Sequence, residues 1–186
     1  ILKKLKNGGY DVLDLEACAN NRGSLLGDIG LGEKYSQKHF ESLVFHSLAD
    51  AESDIMITEG ESRRIGNIVM PAYLYEALIK SRKLYIETSL ERRTEIIRKE
   101  YLKDNVQQEE IINSIERLRK YINEKQIQEF IDGVKNEEYD KVIKDLMIKY
   151  YDKAYSNKGK TYERVFNNDD EDICVKEITE YIFPQK

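Results

Sequence analysis

Tryptophan is absent from this 186-residue chain, and proline, cysteine and histidine occur twice each. Two prolines and ten glycines exclude the collagen-like, proline-rich and low-complexity classes. Cys18 and Cys174 lie far apart and in no metal-ligand spacing. With no disulfide framework to read, a reducing, cytoplasmic setting is the default. No apolar run approaches the roughly 20 residues of a membrane span, and no signal-peptide pattern opens the chain, so no membrane partner is expected. An excess of positive charge is also missing. The formal net charge of −5 excludes a globally basic nucleic-acid binder.

What is present suits one domain, or one domain with a sizeable insertion. Hydrophobic residues make up 40% and charged residues 35%, so a core can form beneath a heavily charged surface. Charge is unevenly spread. From Arg63 to Lys103 ten Lys/Arg stand against five Asp/Glu, and from Asn168 onward six acids stand against two lysines. The basic segment either meets phosphates or forms a solvated helix face.

The opening Ile1, Leu2 and Leu5 share one helical face before the stop Asn7-Gly8-Gly9. A helix of under two turns without an N-cap is marginal alone, which implies residues before Ile1. Tyr10–Leu15 reads as a short buried strand, followed by a polar loop with four glycines between Gly23 and Gly32. Ser36 caps a helix to Ala51 with Phe40, Leu43, Val44, Phe45 and Leu48 on its apolar side. Ile55–Thr58 reads as a strand ending at Glu59, Pro71 opens a helix to Ser81, Leu84–Ile86 is a third strand, and a helix capped by Ser89 or Thr88 runs to about Leu102. This alternation predicts an α/β fold with a parallel sheet. Apolar stripes then predict three helices over residues 106–157. A fourth strand near Tyr162–Phe166 and a closing helix restore the rhythm. The expected division is an α/β core of 1–105, a helical insertion of 106–157, and a last strand and helix in 158–186.

Ligands of parallel sheets bind at the carboxyl ends of strands, where the polar clusters fall. An apolar strand ending in Glu59, then Glu61, is a Walker-B-like signal for a carboxylate that holds hydrated Mg²⁺ beside phosphates. A solvated loop acid is the plainer alternative. Arg63 and Arg64 follow at once and can clamp phosphate. In the first loop, amides around Gly23 and Ser24 can form an anion nest beside Arg22, or the glycines merely turn the chain. His39 and His46 read as surface residues.

The ordered motifs Asp14-Leu15-Glu16, Ala19-Asn20, Arg22-Gly23-Ser24, Ser36-Gln37-Lys38, Phe40-Glu41, and Glu59 with Glu61-Ser62-Arg63 and Ile65-Gly66 resemble the P-loop domain of the tRNA 2-selenouridine synthases. The resemblance spans most of the chain and is strongest from Tyr10 to Tyr101. It implies a P-loop NTPase/kinase-like parallel sheet whose first strand and Walker A phosphate loop are missing here, which should leave a gap in the sheet. It also implies a rhodanese-like domain, in the same protein or as a separate chain, that carries the catalytic cysteine. Asn21 stands where the family usually has His, Leu26 where Phe is common, and Cys18 where Leu is usual, so neither cysteine inherits that role.

The implied activity converts wobble 2-thiouridine of tRNA to 2-selenouridine using selenophosphate, with geranylation from geranyl diphosphate. A selenophosphate-producing enzyme is the implied upstream partner, and this fragment alone is expected to be inactive. On this reading Glu59, Glu61 and Arg63 are catalytic, with Glu59 a candidate Mg²⁺ ligand. Asp14, Glu16, Asn20, Arg22, Gly23, Ser24, Gln37, Ser62 and Arg64 bind a phosphate-containing ligand: selenophosphate, geranyl diphosphate or a nucleotide. Arg92, Arg93, Arg98 and Lys99 contact tRNA backbone. Arg93 matches the family's usual arginine and Arg92 does not. The alternatives are a noncatalytic RNA-binding or docking module on the same scaffold, and a small-molecule P-loop kinase relative.

Overall fold

The computed structural model describes residues 1–103, 106–155 and 161–184. Its contacts divide the chain into two compact units. Unit 1 comprises Ile1–Ser24, Glu33–Thr88 and Thr161–Lys186, and unit 2 comprises Leu25–Gly32 and Ser89–Lys160. The expected boundaries after residues 105 and 157 fall outside the described residues. Every described residue of the expected insertion lies within unit 2, which also takes in the preceding helix and part of the glycine loop.

Unit 1 begins with α1 (Leu2–Asn7), β1 (Val12–Leu13), α2 (Leu15–Ala19) and α3 (Gln37–Ala49). β2 (Ile57–Thr58), β3 (Arg64–Ile65), β4 (Ile68–Val69), α4 (Ala72–Lys80) and β5 (Leu84–Glu87) follow. The expected strand to Leu15 stops at Leu13. Asp14 adopts an extended backbone and accepts the Ala17 N–H, so it N-caps a short helix. Ser36 caps α3 in the same way, through the His39 N–H. α3 buries only Phe40 and Val44, one turn apart, while Phe45 and Leu48 stay in solvent.

β1 and β2 pair in parallel, Val12 with Ile57 and Leu13 with Thr58. The last strand of unit 1, β6 (Arg164–Asn167), pairs in parallel with β5, from Leu84 with Arg164 to Glu87 with Asn167. β3 and β4 form a small antiparallel hairpin. Among the described residues, neither β2 nor β5 has a second neighbouring strand, so the parallel strands form two separate pairs and no continuous sheet. Apolar side chains of both pairs nonetheless enter one cluster with Leu5, Phe166, Cys174 and Ile178, closed by the last helix. A second cluster packs Leu13 and Leu15 against Phe40, Val44, Ile65, Ile68 and Met70. Removing each such side chain from water contributes about 1.5–3 kcal/mol.

Unit 2 contains α5 (Leu90–Tyr101), α6 (Gln108–Glu116), a 3₁₀ turn (Arg117–Lys120), α7 (Glu124–Lys135), α8 (Tyr139–Leu146), a π turn (Met147–Tyr151) and α9 (Asp152–Ala154). The closing helix of unit 1 is α10 (Glu171–Ile182), N-capped by Asp170. The core of unit 2 is built from the expected stripes: Ile115 and Leu118, then Ile127, Phe130, Ile131 and Val134, then Val142 and Leu146. Leu26 and Ile29 of the glycine loop join it. α7 and α8 touch closely at Gly133, where a Cβ would lie 2.5 Å from Val142 Cγ2. Gly133→Ala is therefore expected to lower stability by about 1–3 kcal/mol through overpacking, although alanine favours the helix. Adding Val142→Ala should recover part of that loss, as read from urea unfolding midpoints.

Candidate functional site

The register of β1 and β2 places Leu13 beside Thr58, so the next residues, Asp14 and Glu59, leave the two parallel strands side by side. Both acids terminate at α2. Asp14 Oδ1 accepts the Ala17 N–H at 2.8 Å, and Glu59 Oε1 accepts the Glu16 N–H at 2.7 Å. The Thr58 hydroxyl donates to Glu59 Oε2 at 3.1 Å. Glu16 lies in the first turn of α2, and Glu61 comes two residues after Glu59. Gly23 crosses directly over this pair: at φ +68°, a Cβ there would lie 2.5 Å from Glu61 Oε1 and 2.9 Å from Glu16 Oε1. Glycine is required at this point both for its backbone angle and for the space.

Asp14, Glu16, Glu59 and Glu61 thus gather at one strand end, and among the described residues none of them makes an ion pair. Burial, then the negative charges of Glu61, Glu59 and Asp14, push the Glu16 carboxyl up to about 8. Burial raises Glu61 as well, against the Ser62 N–H and a hydrogen bond with Glu16. The two half-buried side chains are hydrogen-bonded to each other, and two adjacent desolvated carboxyls disfavour both being charged. Burial also raises Glu59, opposed by backbone N–H groups including that of Glu16. The Cys18 thiol beside them is buried, and burial with the charges of Asp14 and Glu59 pushes it up to about 11, which leaves it an inert packing group.

A Mg²⁺ ion fits this donor set poorly. Both Glu59 oxygens are engaged by the chain, and among the described residues no group of three His, Cys, Asp or Glu is arranged to hold a metal.

The rest of the expected site divides into free and engaged residues. Arg63 and Arg64 are exposed and have no carboxylate partner among the described residues. The Ser62 hydroxyl donates to the Arg64 carbonyl at 2.6 Å and shapes the approach to the β3–β4 hairpin. Gln37 holds that hairpin to α3: its amide donates to the Val69 carbonyl at 2.8 Å, accepts the Val69 N–H at 2.9 Å and also reaches Glu41. Asn20, left-handed at φ 48°, donates from its amide to the Glu33 carbonyl at 2.8 Å. Arg22, Gly23 and Ser24 are half-buried within unit 1.

Gly30 and Gly32 serve unit 2 instead. The Gly30 N–H donates to Glu110 at 2.7 Å, and Asp28 forms a two-pronged ion pair with Arg117 at 2.6 and 2.9 Å. The residues expected to meet RNA lie on α5, also in unit 2. Three of them already have carboxylate partners: Arg92 with Glu95 at 3.0 Å, Arg93 with Asp152 at 2.6 Å and Arg98 with Asp140 at 2.7 Å. Lys99 is exposed and has none.

Asn21 and the hairpin turn were not singled out by the sequence reading as parts of the site. Gly66, at φ +57°, passes so close to buried Asn21 that a Cβ would lie 2.7 Å from its amide nitrogen, and Asn21 Oδ1 has no hydrogen-bond partner among the described residues. The signal was available: Gly66-Asn67 between Arg64-Ile65 and Ile68-Val69 is a two-residue hairpin turn.

A profile of the tRNA 2-selenouridine synthase AAA domain matches residues 1–182. Curated relatives named tRNA 2-selenouridine synthase include one from Nitrosomonas eutropha, 29% identical over 55% of this chain and 27% of its own length. One from Pseudomonas syringae pv. tomato is 34% identical over 55% of this chain and 27% of its own length. One from Hydrogenovibrio crunogenus is 27% identical over 94% of this chain and 45% of its own length. The chain thus spans less than half the length of these relatives. No solved structure matches. The chain belongs to the tRNA 2-selenouridine synthase AAA domain family.

The raised Glu16 carboxyl makes stability depend on pH. In the folded chain Glu16 keeps its proton to about pH 8, whereas an ordinary carboxyl loses it near 4.5. Between those values the folded state binds more protons than the unfolded state, so stability falls as pH rises, by at most about 1.4 kcal/mol per unit. The urea midpoint is expected to be lower at pH 9 than at pH 5, and Glu16→Gln should flatten that slope. An unchanged slope in the variant would mean that Glu16 carries no retained proton.

Proposed function

We propose that unit 1 forms one wall of a cleft for a phosphate-bearing ligand in a tRNA-modifying enzyme that exchanges sulfur for selenium at wobble 2-thiouridine. The ligand is selenophosphate, geranyl diphosphate for the accompanying geranylation, or a nucleotide. The observation that carries this reading is the succession, within six residues after a parallel strand, of the half-buried acids Glu59 and Glu61 and the exposed Arg63 and Arg64, which have no carboxylate partner among the described residues. The family membership of the chain supports it.

Each side chain has a role that its setting allows. Arg63 and Arg64 offer forked donors to phosphate oxygens. Glu61, hydrogen-bonded to Glu16, can accept or return a proton beside that phosphate. Glu59 orients the turn: it holds the start of α2 and so sets where Glu16 and Gly23 stand. Four acids and no ion pair leave the cluster in need of a positive neighbour. We place there the lysine of a phosphate loop, whose strand would fill the position between the unpaired edges of β2 and β5. In the whole protein a rhodanese-like domain supplies the cysteine chemistry, a selenophosphate-producing enzyme supplies the donor, and the setting is cytoplasmic.

Glu59→Gln and Arg63→Ala in the full-length enzyme test this reading. Removing one charge-assisted hydrogen bond costs about 1.5–3 kcal/mol. Selenation or geranyl diphosphate binding should therefore fall about tenfold to a hundredfold in each variant. Parent-level activity and binding in both would overturn the site assignment.

A further inference from the structure

Unit 2 carries an aromatic feature that its core uses only in part. Four tyrosines form a continuous ladder. Tyr121 follows the 3₁₀ turn, Tyr150 and Tyr151 end the π turn, and Tyr155 lies one helical turn beyond. Ring centroids are 5.9 Å apart for Tyr121–Tyr150, 4.9 Å for Tyr150–Tyr151 and 5.9 Å for Tyr151–Tyr155, and the last pair is stacked at 21°. Tyr150 and Tyr151 rest on the core cluster, which fixes their rings. The outer rings are left in solvent, Tyr121 at 60% and Tyr155 at 54% exposure. A folding core has no use for two large rings held outside it, whereas a rigid exposed ring is a low-entropy contact surface.

The charge beside the ladder has one sign to offer. Lys120 and Lys153 are exposed, flank Tyr121 and Tyr155 in the chain, and have no carboxylate partner among the described residues. The arginines of α5, by contrast, are committed to Glu95, Asp152 and Asp140. A partner that brings flat rings and negative charge together is a nucleic acid strand with unpaired bases, since each base has a π-face and each link a phosphate. RNA is read in this way at single-stranded loops, where unstacked bases rest on aromatic side chains.

We propose that the Tyr121–Tyr150–Tyr151–Tyr155 ladder, with Lys120 and Lys153, is a stacking platform for the unpaired bases of an RNA loop. This rests on the reading that the whole protein acts on tRNA, and it assigns the RNA contact to the ladder in place of the ion-paired arginines of α5. The outer faces of Tyr121 and Tyr155 take bases, and the two lysines meet the intervening phosphates.

The test is binding of three labelled RNAs to the 186-residue chain by fluorescence anisotropy: an eight-nucleotide oligouridylate, a hairpin with a seven-nucleotide unpaired loop, and a blunt duplex. Tyr121→Ala and Tyr155→Ala should each weaken binding of the first two by about fivefold to a hundredfold, the range of a single base–aromatic stack. Tyr121→Phe and Tyr155→Phe should bind like the parent, and thermal melting reports that each variant is folded. Equal binding of hairpin and duplex, or parent-level binding by both alanine variants, overturns the proposal. So does a change in oligomeric state in the alanine variants with RNA binding intact, which would assign the ladder to a protein contact. Geranyl diphosphate binding to the full-length enzyme separates this proposal from the cleft reading. If it survives while the ladder effect is absent, only the platform fails; if it is lost while the ladder effect stands, only the cleft fails.

Discussion

The hydrogen bond from the Glu16 N–H to Glu59 Oε1 ties the site of unit 1 together. It spans 43 positions of sequence and joins the start of α2, after β1, to the residue that ends β2. With Asp14 capping the same helix, it stops β1 two residues early and turns the chain into α2. That turn puts Glu16 over Glu61 and forces residues 21–24 to pass above them with only a glycine's bulk. The two-residue parallel pairing of β1 and β2 is too short to hold such a geometry by ladder bonds alone. The half-buried Glu59 carboxylate supplies the missing connection, and a hydrogen bond to a partly desolvated group is costly to leave unmade.

Electrostatics and packing work in the same direction here. Burial raises the carboxyls of Glu16, Glu59 and Glu61, and for Glu16 the negative charges of Glu61, Glu59 and Asp14 add to it. Arg63 and Arg64 lie just beyond, on the solvent side, and the hairpin that follows them is anchored by the Gln37 amide to Val69 and by the contact of Gly66 with Asn21. The arginines are therefore presented from a short segment fixed at both ends, which lowers the ordering cost of a ligand that bridges them.

Unit 2 follows another logic. Its core is helical and local in sequence, and its surface arginines are used to join helices: Arg93 to Asp152 and Arg98 to Asp140. Exposed ion pairs of this sort contribute little each, but they consume the charge that would otherwise meet phosphate. Lys120 and Lys153 have no carboxylate partner among the described residues, and Tyr121 and Tyr155 are exposed beside them.

Much of this was legible along the chain. Helical stripes at three- and four-residue spacing placed the core of unit 2, because periodicity reports which face is buried. Capping residues Ser36 and Ser89 have short-range partners, and the order of strands and helices announced the α/β class. The acids and arginines from Glu59 to Arg64 could be named because they adjoin an apolar strand. Other features depended on atoms distant in sequence. Only the fold decided that Glu16 and Glu61 come together out of full solvent, that Gly23 rather than Gly30 or Gly32 faces the acids, that the parallel strands form two separate pairs, and that the arginines of α5 are spent on Asp152 and Asp140. Sequence spacing carries local preference, whereas desolvation, charge pairing and the room for a single Cβ are set by which distant segments come to lie against one another.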